Sequence, residues 1–205
     1  MGLHNVLPKR TEFGRETLSE VDGRMGEVSE DVAVGGLDTP VGRISVAVTR
    51  DGLASVSWGR RVASGRLPVV DDGDRLAPVL GQLSEYFAGA RRDFDVPVDW
   101  RHVTGSASGV VLRTLHQSVP YGSSVTYGGL ATLSGTGVPA RAIGGIMGAN
   151  PIPIVVPCHR VLASDGLGGY SGGSGGNGVE VKRWLLTLEG VLPPTFDWSP
   201  AGLTT

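Results

Sequence analysis

The chain has 205 residues, 40% of them hydrophobic and 19% charged, a composition typical of one large or two small globular domains. The net charge is only −2, with the acidic excess in the first 100 residues and a small basic excess after them. This weak imbalance excludes a strongly basic nucleic-acid-binding tail, and chance explains it as well as DNA binding does.

Cysteine usage and hydropathy restrict the protein further. No apolar run approaches the roughly 18 residues of a membrane-spanning helix, and the N-terminal residues lack the apolar core of a signal peptide. We therefore expect a cytoplasmic protein without a membrane partner. A single cysteine, Cys158, excludes an internal disulfide. The histidines are too scattered to predict a metal site; they are His4, His102, His116 and His159.

The first half of the chain predicts a small α/β domain over residues 34–99. Residues 1–33 are polar and lack apolar periodicity, which predicts a mobile extension. Alternating apolar residues predict two strands joined by a hairpin turn at Asp51-Gly52. A helix is expected to begin near Pro78 and to end at Gly89. Renewed alternation between residues 94 and 98 predicts another strand.

The second half predicts helices separated by glycine-rich turns. We expect a linker at residues 100–110, a mostly helical domain at 111–191 and a loose tail at 192–205. Two of the helices, one capped near residues 124–126 and the next starting at Pro139, form a helix-turn-helix pattern, although many such pairs never touch DNA. A short buried strand or extended run at 154–156, a glycine-rich loop at 164–178 and a last helix ending near Glu189 follow.

Cys158 is the residue whose surroundings predict chemistry. A lone cysteine is more often a small buried apolar residue than a nucleophile. Here, however, Pro157 precedes it and His159 and Arg160 follow. An imidazole or a positive charge nearby lowers the pKa of a thiol. Because adjacent side chains usually point apart, the proton can pass through a bridging water, with an acidic residue from another element orienting the imidazole.

Five segments in one order carry a resemblance to a known family. They read PYGSSVTYGGLA, ARAIGGIMGANP, IPIVVPCHRV, GYSGG and VKRWLLTLEG. Over about residues 118–191 the chain resembles the O6-alkylguanine-DNA alkyltransferases, and residues 37–99 resemble their N-terminal domain loosely. The resemblance implies an α+β fold. A small α/β domain, ribonuclease H-like, is followed by a mostly helical domain with a winged-helix-like helix-turn-helix.

The resemblance also implies a function. The chain would transfer an alkyl group irreversibly from O6-alkylguanine in double-stranded DNA to its cysteine, once per molecule, and O4-alkylthymine is left open as a second substrate. It would need neither a metal nor another cofactor. It is expected to act as a monomer, and the sequence leaves cooperative binding along DNA open.

Catalytic roles follow from the resemblance at matching positions. Cys158 would accept the alkyl group, His159 would act as its base through a water, and Glu189 would hold that histidine. Tyr127 would donate its hydroxyl to the purine as the leaving base gains negative charge. Asn150 would brace the site by hydrogen bonds. The competing explanations are a half-buried aromatic at a helix N-terminus for Tyr127 and a simple helix C-terminal residue for Asn150.

DNA-binding and pocket residues are implied in the same way. The target base must leave the stack, and Arg141 would fill the gap. Small residues on the third predicted helix would allow close approach to the minor groove; they are Ala140, Ala142, Gly144 and Gly145. The substrate pocket would be lined by Met147, Val161, Tyr170 and Ser171. Packing within the protein is the competing explanation for both sets.

The sequence departs from the family pattern at several points. Arg113 stands near a usual tryptophan, and the usual phenylalanine of that helix is missing, so packing or DNA contact there should differ. Gly148 stands where some relatives have a second arginine, which predicts weaker DNA binding. The loop after Tyr170 is several residues longer than usual, and we hypothesise that it admits larger alkyl groups.

Three other functions compete with alkyl transfer. The first is a non-catalytic alkyltransferase-like protein that binds lesions, but such proteins lack the acceptor cysteine. The second is a cysteine hydrolase, which would normally place its nucleophile at a helix N-terminus and its histidine far away in sequence. The third is a transcription factor, which would carry base-reading side chains where this helix has small residues.

Overall fold

The computed structural model describes residues 30–59, 67–103 and 106–194. The predicted N-terminal extension, apart from its last four residues, lies outside these ranges, as do residues 195–205 of the predicted tail. The described part has an N-terminal sheet with one helix and a helical C-terminal part, so the predicted α+β order is confirmed.

Among the described residues, four strands form the N-terminal sheet, in the spatial order β3-β2-β1-β4. Successive antiparallel pairs join β1 to β2 and β2 to β3, and β4 runs parallel to β1. The bounds are β1 Val32–Thr39, β2 Gly42–Thr49, β3 Gly52–Trp58 and β4 Val69–Val70.

Strand β1 was not predicted from the sequence because two glycines interrupt its apolar alternation. A Cβ atom at Gly35 would lie 3.2 Å from side-chain atoms of Leu76 and Leu80, so the glycine lets the helix α1 (Gly73–Phe87) pack closely on this strand. Val32 and Ala33 are already buried in β1. The folded domain therefore begins before the expected boundary at residue 34.

Helix α1 begins five residues before Pro78, so its predicted start was wrong. The side chain of Asp72 accepts a hydrogen bond from the backbone N–H of Arg75 and caps the helix. This cap and the burial of one face outweigh the hydrogen bond that Pro78 removes. The strand predicted at residues 94–98 is also absent, since only an isolated bridge joins Val98 to Leu53 there.

The described residues of the C-terminal part begin with a 3₁₀ turn and contain four helices. The first helix starts four residues earlier than predicted. The bounds are Trp100–His102 for the 3₁₀ turn, α2 Ala107–Ser118, α3 Tyr127–Ser134, α4 Ala140–Gly148 and α5 Gly178–Leu188. Two short strands, β5 (Val125–Thr126) and β6 (Val161–Leu162), pair in parallel beside α3. The pair α3 and α4 forms the predicted helix-turn-helix.

The ends of α3 follow from its sequence. The hydroxyl of Thr126 accepts a hydrogen bond from Gly129 N–H at 3.0 Å, which caps the N-terminus. Gly135 ends the helix in the left-handed conformation, with a φ of 62° that other residues rarely adopt. A short turn to Pro139 then allows α4 to start against α3.

Arg113 replaces the usual tryptophan without leaving the position unpacked. Its guanidinium carbon lies 4.7 Å from the centroid of the Trp100 ring, a cation–π contact. The same ring packs against His116 at a centroid distance of 5.6 Å. An aromatic residue from the predicted linker therefore covers this side of α2. None of the helices in the described ranges has the length and apolar character needed to cross a bilayer.

Candidate active site

A tight, buried turn presents Cys158. The run at residues 154–156 is not a strand. Ile154 instead has a φ of 77°, which is unfavourable for a β-branched residue and must be held by its surroundings. Asn150 supplies part of that restraint. Its side-chain N–H donates to the carbonyl of Val156 at 2.8 Å, and its side-chain oxygen accepts from Ile152 N–H at 3.1 Å.

The thiol of Cys158 is only 4% exposed and lies in the 3₁₀ turn Cys158–Arg160. Burial raises its pKa, while a hydrogen bond with Asn150 and the charge of Lys182 lower it without cancelling the effect. At neutral pH the resting group is therefore a thiol. Forming the reactive thiolate requires a base that removes the proton.

His159 and Glu189 form the buried pair next to that thiol. The Nε2 atom of His159 lies 2.8 Å from Oε1 of Glu189. Burial opposes ionisation of the carboxyl group, but His159 and Arg160 together lower the pKa of Glu189 to about 2. The carboxylate is therefore charged at neutral pH and accepts the Nε2 proton.

The other ring nitrogen of His159 is left as the acceptor. Its Nδ1 atom is buried, and no described residue hydrogen-bonds to it. Burial lowers the pKa of the imidazole, and the neighbouring carboxylate of Glu189 offsets only part of that shift. The ring is thus neutral at pH 7, protonated at Nε2 and able to take a proton at Nδ1.

A cavity of about 290 Å³ contains the thiol, close to the lower limit of roughly 300 Å³ for small-molecule sites. Its lining residues are Tyr127, Gly144, Met147, Gly148, Cys158, Gly169, Tyr170 and Ser171. Three of the four predicted pocket residues are thus on its wall. Val161 is not. It is fully buried in β6, where it pairs with Val125 and belongs to the core.

Tyr127 lines the same cavity from the first turn of α3. Burial, together with the charge that Cys158 acquires as thiolate, raises the pKa of its hydroxyl. The group therefore keeps its proton at neutral pH. The Tyr127 hydroxyl is therefore a hydrogen-bond donor on the wall of the cavity that Cys158 also lines.

The outer face of α4 adjoins the cavity. Arg141 and the four small residues predicted to face DNA are all exposed, whereas Ile143 and Met147 on the opposite face are buried. A Cβ atom at Gly144 or Gly145 would meet no atom within 4 Å. Packing inside the protein therefore does not explain these glycines, which cost helix stability at exposed positions.

Three buried polar residues around the site were not predicted as site residues. Arg160 donates to both oxygens of Glu189, at 2.8 and 2.9 Å, and Tyr86 donates its hydroxyl to Oε1 at 2.7 Å. Lys182 donates to the carbonyls of Val161 and Gly169, and burial lowers its pKa to about 8. Of the three, only Arg160 could have been suspected from the sequence, because it directly follows His159.

A metal site is not indicated by the described residues, among which no cluster of His, Cys, Asp and Glu side chains could hold an ion.

Comparison with known proteins places this site in a family. Residues 33–100 match the family model for the ribonuclease-like domain of 6-O-methylguanine DNA methyltransferase, and residues 109–191 match the model for its DNA-binding domain.

Individual proteins give the same result. The methylated-DNA–protein-cysteine methyltransferase of Rattus norvegicus is 37% identical over 82% of this chain and 85% of its own length. The inducible enzyme of that name from Bacillus subtilis is 36% identical over 64% of this chain and 69% of its own. The crystal structure of Mycobacterium tuberculosis OGT in complex with DNA is 34% identical, with a TM-score of 0.65 over 77% of this chain and 92% of that one. The chain therefore belongs to the 6-O-methylguanine DNA methyltransferase family.

Proposed function

We propose that this protein repairs DNA by transferring an alkyl group from O6-alkylguanine to the sulfur of Cys158. The observation that carries the proposal is the position of the thiol. It lines a small cavity that borders the exposed face of α4, and a buried His159–Glu189 pair lies beside it. The names of the relatives support the same reaction.

The transfer follows from the protonation states of the site. His159 receives the thiol proton at Nδ1 through a water, while Glu189 stabilises the imidazolium that results. The thiolate attacks the alkyl carbon, an S–C bond forms, and the C–O6 bond breaks with its electron pair going to the guanine. Tyr127 donates a hydrogen bond to the purine as that charge develops. In the net reaction, the alkyl group moves to sulfur and the thiol proton to guanine.

Two further groups act on the thiolate. Asn150 hydrogen-bonds to it, and the positive charge of Lys182 stabilises it. The thioether product is not hydrolysed under cellular conditions, so each molecule acts once. Since the acceptor must stay a free thiol, a reducing compartment is required, and we place the protein in the cytoplasm.

DNA is proposed to bind across α4. A base in a duplex cannot reach a buried thiol, so the nucleotide rotates into the cavity and Arg141 occupies the gap that it leaves. Ala140, Ala142, Gly144 and Gly145 leave room for the sugar–phosphate backbone at the minor groove. Met147, Tyr170 and Ser171 would then contact the flipped base.

Substituting Gly145 with glutamine is expected to separate stability from DNA binding. Glutamine is a better helix former, so the free energy of unfolding should rise by roughly 0.5 kcal/mol. The larger side chain on the proposed DNA face should weaken duplex binding by about tenfold, a cost of roughly 1.4 kcal/mol. Urea unfolding and fluorescence anisotropy with a labelled duplex measure the two effects.

The matched control is Gly81→Gln on α1. Gly81 is also exposed inside a helix, and a Cβ atom added there would meet no atom within 4 Å. This variant should gain similar stability and keep full DNA affinity. Equal affinity of the two variants would contradict the placement of DNA on α4.

The transfer rate is expected to depend on pH through His159. Burial lowers the pKa of His159 below its ordinary 6.5, so the base is neutral at pH 6.5 and above. The single-turnover rate should fall only as pH drops below this value, because a protonated imidazole accepts no further proton. Rapid-quench measurements across this range test the prediction. The fall in rate on the acidic side of the pH–rate profile is its acid limb. An acid limb centred above pH 6.5 would contradict the prediction.

The decisive test of the proposed function is the intact mass of the protein after incubation with a duplex that contains one O6-methylguanine. We expect each chain to gain the mass of one methylene group, with no second turnover, and the Cys158→Ser variant to gain none while still binding DNA. DNA binding without a gain in mass would support the lesion-binding alternative. A protein that neither binds the duplex nor gains mass would reject both functions.

A further inference from the structure

We propose that Tyr86, in the N-terminal domain, is a positioning residue for alkyl transfer, because its hydroxyl holds the Glu189 carboxylate in the orientation that keeps His159 ready to accept the thiol proton. The inference rests on the proposed function. If it holds, the N-terminal domain contributes one side chain to the active site. That side chain, Tyr86, lies 103 positions before Glu189 in the sequence.

The geometry around Glu189 carries the proposal. Its Oε1 atom accepts from the Tyr86 hydroxyl at 2.7 Å, from Nε2 of His159 at 2.8 Å and from Arg160 at 2.9 Å. The Nε atom of Arg160 donates to Oε2 at 2.8 Å. The oxygen that orients the histidine is therefore the one that Tyr86 fixes from the opposite domain.

Without the Tyr86 hydroxyl, Arg160 would be the dominant partner of the carboxylate. A bidentate arginine holds both oxygens strongly and allows the carboxylate to shift along the guanidinium edge. The contact with His159 is a single hydrogen bond and weakens with a small displacement. The Tyr86 hydroxyl opposes this displacement because it reaches Oε1 from α1, an element that neither histidine nor arginine belongs to.

The position of the hydroxyl is set by ring packing. Tyr86 is fully buried, and its ring contacts Phe87 and Phe94, each at a centroid distance of 5.4 Å, and Tyr121 at 6.2 Å. Burial, reinforced by the charge of Glu189, raises the pKa of Tyr86 well above its ordinary value. The group is therefore a permanent donor whose ring would stay in place if only its oxygen were removed.

Removing that oxygen also has an electrostatic consequence. The charged groups acting on His159 are Glu189, Arg160 and Lys182, and the last two oppose its protonation. Glu189 is therefore the group that favours the imidazolium, and a carboxylate displaced from Nε2 stabilises it less. The acid limb of the pH–rate profile should therefore move to lower pH when the Tyr86 hydroxyl is lost.

The test compares Tyr86→Phe with Tyr121→Phe. Tyr121 belongs to the same ring cluster, but its hydroxyl donates to the backbone carbonyl of Leu188 at 2.8 Å and not to the carboxylate. Both variants lose one partly or fully buried hydroxyl, so a general loss of stability affects both. Their rates are measured as single turnovers on a saturating O6-methylguanine duplex, well below each thermal midpoint.

We expect Tyr86→Phe to lower the rate at neutral pH by about tenfold, the equivalent of one hydrogen bond to a charged group. Its acid limb should shift to lower pH, and its DNA affinity should be unchanged. Tyr121→Phe should match the wild type in the position of its acid limb. Identical pH–rate profiles for the two variants would overturn the proposal, since destabilisation alone does not move the limb.

A second readout separates this inference from the proposed function. The rate at which iodoacetamide alkylates Cys158 is measured against pH without DNA, for the wild type and both variants. A shifted profile in Tyr86→Phe alone supports the positioning role even if the wild type takes no alkyl group from DNA. An unshifted profile, together with normal transfer from DNA, overturns the role and leaves the proposed function standing.

Discussion

Replacing Glu189 with glutamine is expected to destabilise the fold by about 3 kcal/mol and to slow alkyl transfer by roughly three orders of magnitude. The carboxylate is buried and accepts hydrogen bonds from three side chains, those of Tyr86, His159 and Arg160. An amide offers only one acceptor oxygen, and its NH₂ group would face a donor of His159 or Arg160. Arg160 would also be left as a buried charge without its counter-ion.

Loss of the carboxylate changes the chemistry as well. Without it, nothing in the described part of the site stabilises the imidazolium that forms when His159 takes the thiol proton. Single-turnover kinetics and urea unfolding measure the two effects separately. The matched control is Glu180→Gln on the exposed side of the same helix, which should change stability by no more than about 0.5 kcal/mol and leave the rate unaltered. A Glu189→Gln protein as stable and as fast as this control would refute the network.

Gly178→Ala is expected to lower stability by roughly 1–3 kcal/mol and to reduce transfer, although no reacting group is changed. Gly178 is the first residue of α5 and is buried against the glycine-rich loop. A Cβ atom there would lie 2.2 Å from the carbonyl oxygen of Tyr170 and 2.9 Å from that of Gly172. Both obstacles are backbone atoms, so relief requires the loop to move.

The expected movement affects the cavity because Tyr170 and Ser171 form part of its wall. Thermal unfolding and the single-turnover rate on the methylated duplex are the measurements. Gly166→Ala is the control, since Gly166 lies in the same loop, is exposed and has no atom within 4 Å of an added Cβ. If the Gly178 and Gly166 variants behave alike, the loop does not depend on close packing against α5.

Several local features could be predicted from the sequence because neighbouring residues determine them. The hairpin turn at Asp51-Gly52, the cap of α3 at Thr126 and the end of α5 near Glu189 each depend on a few consecutive residues. Strand β1 could not be predicted in the same way. Its Gly35 is favourable only because α1 packs against it, and that contact is invisible in the strand's own pattern.

The start of α1 shows how a local rule can be overridden. Pro78 disfavours a helix before it, yet α1 extends five residues further, since the Asp72 cap and the buried face stabilise the added turn. Val161 shows the opposite error. The family resemblance implied a pocket residue at this position, but the pairing of β5 with β6 buries Val161 in the core.

The sequence by itself determined the reacting thiol, the adjacent histidine, the order of an α/β part followed by a helix-turn-helix, and the family. Contiguous motifs and short-range periodicity indicate these properties, and both can be read without knowing how the chain packs. Only the tertiary structure decided that Lys182 is buried beside the thiol, and that Tyr86 from one domain and Arg160 from the other meet on Glu189. Such contacts join residues far apart in the chain, and the packing of the two domains, rather than any local preference, brings them within hydrogen-bonding distance.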